Sequence, residues 1–138
     1  DIEISDKFEI FFTVPENSVI AGEIIERNLD SYIKCIGSIP YEELLTYYKR
    51  CNALLFPSEI ETFGLPLIEA AMFGKPIIAA DLPYAREVLE NYEGAIFLNS
   101  KDAKNWSNII KQIINSDRIY TPLQCNSDNT WKSVLDLI

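Results

Sequence analysis

A glycine-led helix start follows a strand-like run near the middle of the sequence. Gly64 lets the backbone come close to a ligand, and Pro66 fits the first turn of a helix. We expect the unpaired amides of Gly64, Leu65 and Leu67 to face the ligand, together with the positive end of the helix dipole. Such a group of amides suits an anion such as a phosphate. Helix starts after strands are common, so this feature alone is weak evidence for a site.

Glu69 is the one ionisable residue of the helix predicted over Leu65–Phe73. Its neighbours one turn away include Leu65, Met72 and Phe73, so we expect the helix to be buried all round. A buried carboxylate needs hydrogen-bond donors. The donors could be the two hydroxyls of a sugar diol such as a ribose, or they could be backbone amides or a buried arginine. The residues alone leave both interpretations open.

Glu61 lies eight residues before Glu69, in the loop that precedes the helix. Two helical turns of separation would bring both carboxylates close to the same helix start. The alternative for Glu61 is an exposed loop acid, and this alternative is stronger for Glu59.

Three further charged residues follow the next predicted strand. Asp81 ends that strand, either as a site residue or, as we favour, as an N-cap or turn residue of the following helix. Arg86 and Glu87 lie near the start of that helix, where we expect a local salt-bridge arrangement.

Residue types exclude several kinds of chemistry. The chain has no histidine, which removes Ser-His and Cys-His nucleophile pairs and every His-ligated metal site within it. Its three cysteines, Cys35, Cys51 and Cys125, are far apart and form no CxxC pair. We interpret them as incidental thiols of a reducing compartment rather than as a reactive or metal-binding set.

Strand-like and helix-like segments alternate along most of the chain, and four of the five glycines fall at their boundaries. Short apolar strands without polar alternation are typical of a sheet that is covered on both faces. We therefore predict an α/β fold, a doubly wound (Rossmann-like) parallel sheet flanked by helices, with ligands bound beyond the carboxyl ends of the strands. The predicted strands are 8–14, 32–36, 53–56, 76–80 and 95–98, and the predicted helices are 19–29, 40–50, 65–73, 84–91, 102–115 and 131–138.

Length and charge place the chain in a broad class. Its 138 residues suffice for one compact domain, with a partial Rossmann-like domain over 1–115 and a polar connection and C-terminal helix over 116–138. The net charge of −9 and the scattered basic residues argue against nucleic acid as a partner.

The sequence also bears on location. No apolar run is long enough to span a bilayer, and the start does not resemble a signal peptide. We therefore expect the protein to lie in the cytoplasm, including the inner face of the membrane. The first residue is not Met, which suggests a piece of a longer chain.

The stretch Leu55–Leu89, LFPSEIETFGLPLIEAAMFGKPIIAADLPYAREVL, resembles the donor-binding signature of retaining glycosyltransferases of group 1 (family four) with the GT-B fold. The paired glutamates of that family, separated by seven residues, correspond to Glu61 and Glu69. The flanking FGLP, the G-P pair and the strand ending in Asp81 match in the same order. The resemblance covers about Phe8 to Asn115 and implies the C-terminal, donor-binding half of a GT-B fold, incomplete at its N-terminal edge.

The resemblance also implies roles for residues at the helix start. Glu69 would hold the ribose hydroxyls of a nucleoside-diphosphate sugar, and the amides around Gly64 and Leu65 would receive its diphosphate. The donor is a substrate, and members of the family need no cofactor or divalent metal.

By the same resemblance, Glu61 is the candidate catalytic residue. Glu61 and the backbone of Thr62 and Phe63 would contact the transferred sugar. Ser38 and Ile39, in the loop after the second predicted strand, would border the nucleobase.

Three departures from the family pattern bear on activity. The basic pair that contacts the diphosphate in the family has no counterpart in this chain, and the acceptor-binding N-terminal domain is missing from it. The small glycine-containing loop after the fourth strand is replaced by Leu82-Pro83-Tyr84. We therefore expect the chain to be part of an enzyme and inactive by itself.

The function implied is transfer of a sugar from a nucleoside-diphosphate sugar to a glycan or lipid-linked acceptor, in polysaccharide or glycoconjugate synthesis. Two alternatives remain open, a non-catalytic nucleotide-binding module and a GT-B nucleotide-sugar epimerase. Neither the nucleobase, the sugar nor the acceptor follows from the sequence.

Overall fold

The computed structural model describes residues 8–114, 116 and 118–124 of the chain. Each strand and helix predicted up to residue 114 is found there, with ends shifted by a few residues. The strands are β1 (Ile10–Phe12), β2 (Ile33–Cys35), β3 (Leu54–Phe56), β4 (Ile77–Ala80) and β5 (Ala95–Leu98). The helices are α1 (Val19–Glu26), α2 (Tyr41–Arg50), α3 (Leu65–Met72), α4 (Pro83–Val88) and α5 (Ala103–Ile114).

All pairing between these strands is parallel, and a helix lies between each two consecutive strands in the sequence. β1 pairs with β2, and β3, β4 and β5 form a second sheet in that order. The predicted α/β architecture of parallel strands and helical crossovers is confirmed. Within it, the hydrogen-bonded ladders form one sheet of two strands and one of three.

The described residues divide into two compact units, which fall within 1–46 and 47–138. In the second unit the core is built by α3 and β4. Leu67 of α3 and all four residues of β4 are fully buried. β4 is the middle strand of its sheet and is buried on both faces, which explains its uninterrupted apolar sequence.

The first unit has fewer buried side chains. Ala21 and Ile24 of α1 are buried, whereas Val19 and Ile25 of the same helix are 80% and 63% exposed. Ser18 caps α1, because its Oγ accepts a hydrogen bond from the Ala21 amide at 3.2 Å.

Helix α1 ends earlier than the predicted residue 29. Arg27 is its C-cap, and Asn28 then adopts a left-handed conformation with φ 55°. Asparagine tolerates that conformation better than most residues, so the chain can turn there. Leu29, the apolar residue that extended the predicted helix, belongs to this turn, and its amide donates to the carbonyl of Ile24 at 2.9 Å.

The segment after α5 lies along the end of α3. The Tyr120 amide donates to the carbonyl of Gly74 at 2.9 Å, and the Leu123 amide donates to the carbonyl of Ala71 at 3.0 Å. The predicted polar connection therefore has specific backbone contacts. The predicted helix 131–138 and Cys125 lie outside the described residues.

None of the helices in the described part of the chain has the length and apolar character needed to cross a membrane.

Candidate functional site

The start of α3 is shaped by Gly64, the residue before the helix. Gly64 has φ 63° and ψ 34°, a left-handed conformation that a side chain disfavours. A Cβ atom there would also lie 3.2 Å from Cδ1 of Leu67. Pro66 then occupies the first turn, where its missing N–H costs no helical hydrogen bond. The sequence prediction of a glycine-led, proline-stabilised helix start is confirmed.

The carboxylate of Glu61 binds backbone amides of its own loop. Its Oε1 accepts hydrogen bonds from the amides of Thr62, at 2.9 Å, and Phe63, at 3.4 Å. These amides, with a smaller contribution from the Gly64 amide, lower the pKa of the Glu61 carboxyl below its usual range. Successive backbone amides of this kind form an anion-binding nest, and in this structure the chain's own carboxylate lies in it.

The amides of the first helical turn are less open than the sequence suggests. The Leu67 amide donates to the carbonyl of Gly64 at 2.9 Å, and the Ile68 amide makes a longer bond of 3.4 Å to the same oxygen. The expectation that the Leu67 amide faces a ligand is therefore wrong. The Leu65 amide donates to no group among the described residues.

Glu69 lies one turn further along α3 and has a specific protein donor. The hydroxyl of Tyr48 donates to Oε2 of Glu69 at 2.9 Å. Tyr48 is itself buried, and its ring stacks on Phe73 with centroids 6.0 Å apart. Within the part of the chain that the structure describes, Oε1 of Glu69 accepts no hydrogen bond. The donor is thus neither a backbone amide nor an arginine, and one carboxylate oxygen is left for a ligand.

The expectation that α3 is buried all round is wrong. Glu69 is half-buried, and Leu65 and Met72 are 38% and 47% exposed. Only the face with Leu67, Ala70 and Ala71 is fully buried, because that face packs on the sheet side of the unit. Leu65 and Met72 form an exposed apolar strip on α3. Composition alone cannot distinguish such a strip from a face that is buried in the core.

Tyr84, which the sequence analysis noted only as a departure from the family pattern, braces the loop. Its hydroxyl donates to the carbonyl of Ser58 at 2.6 Å, and its ring lies edge-on to Phe56 with centroids 6.5 Å apart. Burial raises the pKa of the Tyr84 hydroxyl, and the charge of Glu61 raises it further. A partly buried tyrosine needs a hydrogen-bond partner for its hydroxyl. The signal in the sequence is therefore the residue type itself, a tyrosine directly after the strand-ending Asp81-Leu82-Pro83.

Asp81 is not the N-cap of α4. Leu82 is the N-cap and makes no side-chain capping bond, whereas Asp81 is held by Arg86 in a two-point contact. The Arg86 Nη2 donates to Asp81 Oδ2 at 3.0 Å, and the guanidinium also lies 4.7 Å from the ring centre of Phe97. The arginine lowers the pKa of the Asp81 carboxyl. The expected salt bridge of Arg86 exists, with Asp81 as its partner rather than Glu87.

A cleft of about 370 Å³ opens beyond the carboxyl ends of β4 and β5. Asp81, Asn99 and Lys101 line it, and the Ser100 hydroxyl donates to Oε1 of Glu59 at 2.6 Å. Glu59 is exposed, as predicted, and it joins the loop after β3 to the end of β5.

The predicted site residues are not all in one compact unit. Glu61, Glu69 and the loop between them belong to the second unit, whereas the exposed Ser38 and the half-buried Ile39 belong to the first. Ser38 and Ile39 follow β2, so they lie at the carboxyl end of that strand.

The family model for glycosyl transferases group 1 matches residues 13–129. It covers most of the chain, including the whole loop and helix with the paired glutamates. The chain belongs to the group 1 glycosyltransferase family. This finding confirms the resemblance described from the sequence.

Three relatives of this group 1 glycosyltransferase chain carry the names of bacterial glycosyltransferases. It is 36% identical to the O-antigen chain mannosyltransferase RfbU of Salmonella typhimurium over 90 residues, which is 65% of this chain and 25% of the relative. It is 27% identical to the 2-deoxystreptamine N-acetyl-D-glucosaminyltransferase of Niallia circulans over 130 residues, which is 91% of this chain and 33% of the relative. The serotype-specific mannosyltransferase WbdA of Escherichia coli is 44% identical over 57 residues, 41% of this chain and 7% of the relative.

The group 1 glycosyltransferase chain spans about a quarter to a third of the length of the first two of these relatives. Among the described residues, no group of three or more Cys, Asp or Glu side chains is arranged to hold a metal ion.

Proposed function

We propose that the chain is the donor-binding part of a retaining glycosyltransferase. It would bind a nucleoside-diphosphate sugar and act with an acceptor-binding N-terminal domain to transfer the sugar to a glycan or lipid-linked acceptor. The observation that carries the proposal is the pair Glu61 and Glu69 at the start of α3, with an amide nest before the helix and an open oxygen on Glu69. Membership of the group 1 family supports it.

Glu69 is suited to bind a ribose diol. Tyr48 fixes Oε2 through a hydrogen bond of 2.9 Å, so the carboxylate is oriented before a ligand arrives. Oε1 then accepts from the ribose hydroxyls, and a hydrogen bond to an ionised acceptor is stronger than a neutral one. Preorganisation of this kind reduces the entropy lost on binding.

The diphosphate would bind at the amides before α3. The amides around Gly64 and Leu65 would receive it, whereas the Glu61 carboxylate accepts from the neighbouring amides of Thr62 and Phe63. The open Leu65 amide and the helix dipole add to the attraction. Glu61 and the backbone of Thr62 and Phe63 would contact the transferred sugar.

The reaction would depend on positioning and electrostatics. Amides at the helix start stabilise the charge that develops on the departing diphosphate, and the acceptor hydroxyl attacks from the same face of the sugar. This mechanism needs no strong base, and we propose that it also needs no metal ion. Ser38 and Ile39 would border the nucleobase.

The names of the relatives suggest the biological setting. Two of them are mannosyltransferases, one of an O-antigen chain and one serotype-specific. We therefore propose a role in polysaccharide or glycoconjugate synthesis, in the cytoplasm or at the inner face of the membrane.

The proposal is tested by nucleotide binding in the full-length protein. A thermal-shift screen against UDP, GDP, ADP and their sugars identifies the donor, and calorimetry then measures its affinity. We expect Glu69→Gln to weaken binding at least about tenfold, because the amide accepts fewer hydrogen bonds and carries no charge. The Tyr48 hydroxyl still has an oxygen to donate to, so the variant should keep its fold.

Glu90→Gln is the matched control, since Glu90 is exposed and lies beyond the end of α4. Equal donor affinity in Glu69→Gln and Glu90→Gln would contradict the role of Glu69. Donor binding without any transfer to an acceptor would instead favour a nucleotide-binding module.

A further inference from the structure

The Glu61 loop, residues 57–64, connects β3 to α3 and buries little apolar surface of its own. Ile60 is 92% exposed and Phe63 is 53% exposed. Because the loop forms few apolar contacts, it has no core that could fix its conformation. The position of the Glu61 carboxylate therefore depends on contacts between the loop and neighbouring elements.

Helix α4 makes such contacts at both ends of the Glu61 loop. The Tyr84 hydroxyl donates to the carbonyl of Ser58 at 2.6 Å. At the other end, a Cβ atom on Gly64 would lie 3.6 Å from Cγ2 of Val88, so the Gly64 backbone passes close to this side chain. Tyr84 and Val88 are four residues apart, which places them on the same face of α4. One face of one helix thus meets both ends of the loop.

Helix α4 is itself packed in the core. Ala85 is fully buried, and the C-cap Leu89 is 2% exposed. The Tyr84 ring lies edge-on to Phe56 of β3, with centroids 6.5 Å apart. Burial and the negative charge of Glu61 raise the pKa of the Tyr84 hydroxyl, so it keeps its proton and remains a donor. The loop is thus held by a donor that the core fixes in place.

Hydrogen bonds within the loop connect Ser58 to the Glu61 carboxylate. The Ser58 hydroxyl donates to the carbonyl of Ile60 at 2.9 Å. Oε1 of Glu61, the next residue, accepts from the amides of Thr62 and Phe63. A displacement of Ser58 would therefore be transmitted through consecutive residues to Glu61.

We infer that Tyr84 is a positioning residue for Glu61. By holding Ser58, it fixes the Glu61 loop in the conformation that presents the Glu61 carboxylate to the sugar of a nucleoside-diphosphate sugar. The inference rests on the proposed function, because that function gives Glu61 a sugar to contact. Tyr84 lies outside the paired-glutamate motif, in the segment Leu82-Pro83-Tyr84 that departs from the family pattern.

Tyr84→Phe tests the inference, because it removes the hydroxyl and keeps the ring beside Phe56. Calorimetry with the full-length protein compares UDP, GDP and ADP with UDP-glucose, UDP-N-acetylglucosamine, GDP-mannose and ADP-glucose. We expect the variant to bind the nucleotide sugar at least about threefold more weakly, as one lost hydrogen bond would cause, and to bind the nucleoside diphosphate unchanged. The nucleoside diphosphate would bind at Glu69 and the start of α3, where Val88 rather than Tyr84 lies beside the loop.

Tyr92→Phe is the matched control. It removes another tyrosine hydroxyl that donates to a backbone carbonyl, that of Lys75, at 2.7 Å. Lys75 comes just before β4, so this bond lies at the opposite edge of the sheet from the Glu61 loop. Circular dichroism checks that both variants fold.

The pattern of affinities decides between the outcomes. Weaker binding of the nucleotide sugar alone, in Tyr84→Phe alone, supports the inference. Equal weakening of the nucleotide sugar and the nucleoside diphosphate, equal effects in the two tyrosine variants, or no effect of Tyr84→Phe overturns it. Nucleotide binding that Glu69→Gln weakens and Tyr84→Phe leaves unchanged overturns this inference but not the proposed function. If the unsubstituted protein binds none of the nucleotides, the proposed function fails and this inference fails with it.

Discussion

At the scale of single residues, the two glutamates of the motif are held by different kinds of contact. Glu61 binds amides one and two residues along the chain, so its contact is local. Glu69 is bound by Tyr48, which lies 21 residues away on another helix. Tyr48 is therefore a positioning residue that no local pattern reveals. Its role depends on how α2 and α3 pack within the second unit.

The Tyr48–Glu69 contact can be measured by a double-mutant cycle. We expect Tyr48→Phe and Glu69→Ala each to lower the free energy of unfolding, with a coupling of about 1 kcal/mol between them, because the two changes remove one and the same hydrogen bond. Urea unfolding followed by circular dichroism gives the four free energies. Strictly additive effects would show that the contact contributes nothing to stability.

At the scale of elements, α3 depends on the backbone conformation of the residue that precedes it. Gly64 turns the chain through a left-handed conformation and brings the loop amides around Glu61. The buried face of α3 then fixes the helix against the core, and Glu69 is left beside the exposed strip. The site is thus built by one turn and one packed helix face.

Replacement of Gly64 tests this dependence. We expect Gly64→Ala to destabilise the protein by about 1–2 kcal/mol from the left-handed backbone alone, and by more where the Leu67 side chain cannot move away. Gly22→Ala is the matched change within α1, where a Cβ atom meets nothing within 4 Å, and it should stabilise by roughly 0.5–1 kcal/mol. Thermal denaturation compares the two variants. If Gly64→Ala melted at the temperature of the unsubstituted protein, the left-handed residue would not be required.

At the scale of the whole molecule, burial is unevenly distributed between the two compact units. In the second unit β4 is completely buried and paired on both sides. In the first unit β1 and β2 are half-buried or exposed along their length, and they form a sheet of two strands. Local stability follows buried apolar contacts, so the two units should differ in how readily their backbones open.

Hydrogen exchange tests this difference directly. We expect the amides of Ile78–Ala80 to exchange slowest and those of Phe11 and Phe12 to exchange much faster, because opening of the two-stranded sheet exposes little apolar surface. Mass spectrometry or NMR of the chain in deuterated buffer measures the rates. Equal protection of β1 and β4 would contradict the expected difference.

The order of helices and strands, the parallel α/β architecture and the glycine-led start of α3 could all be predicted from the sequence. These features follow from local spacing, because strand length, capping and left-handed turns depend on a few adjacent residues. The family motif around Glu61 and Glu69 is likewise a local string, and the family match agrees with it.

The protein partner of Glu69 and the orientation of α3 could not be predicted from the sequence. The contacts of Tyr48 with Glu69 and of Tyr84 with the loop after β3 join residues 21 and 26 positions apart in the sequence. Composition could not show that α3 is buried on one face only, because an apolar residue costs little at a partly exposed position. Packing between helices and strands determines which distant side chains come into contact, and the spacing of residues along the sequence does not predict these contacts.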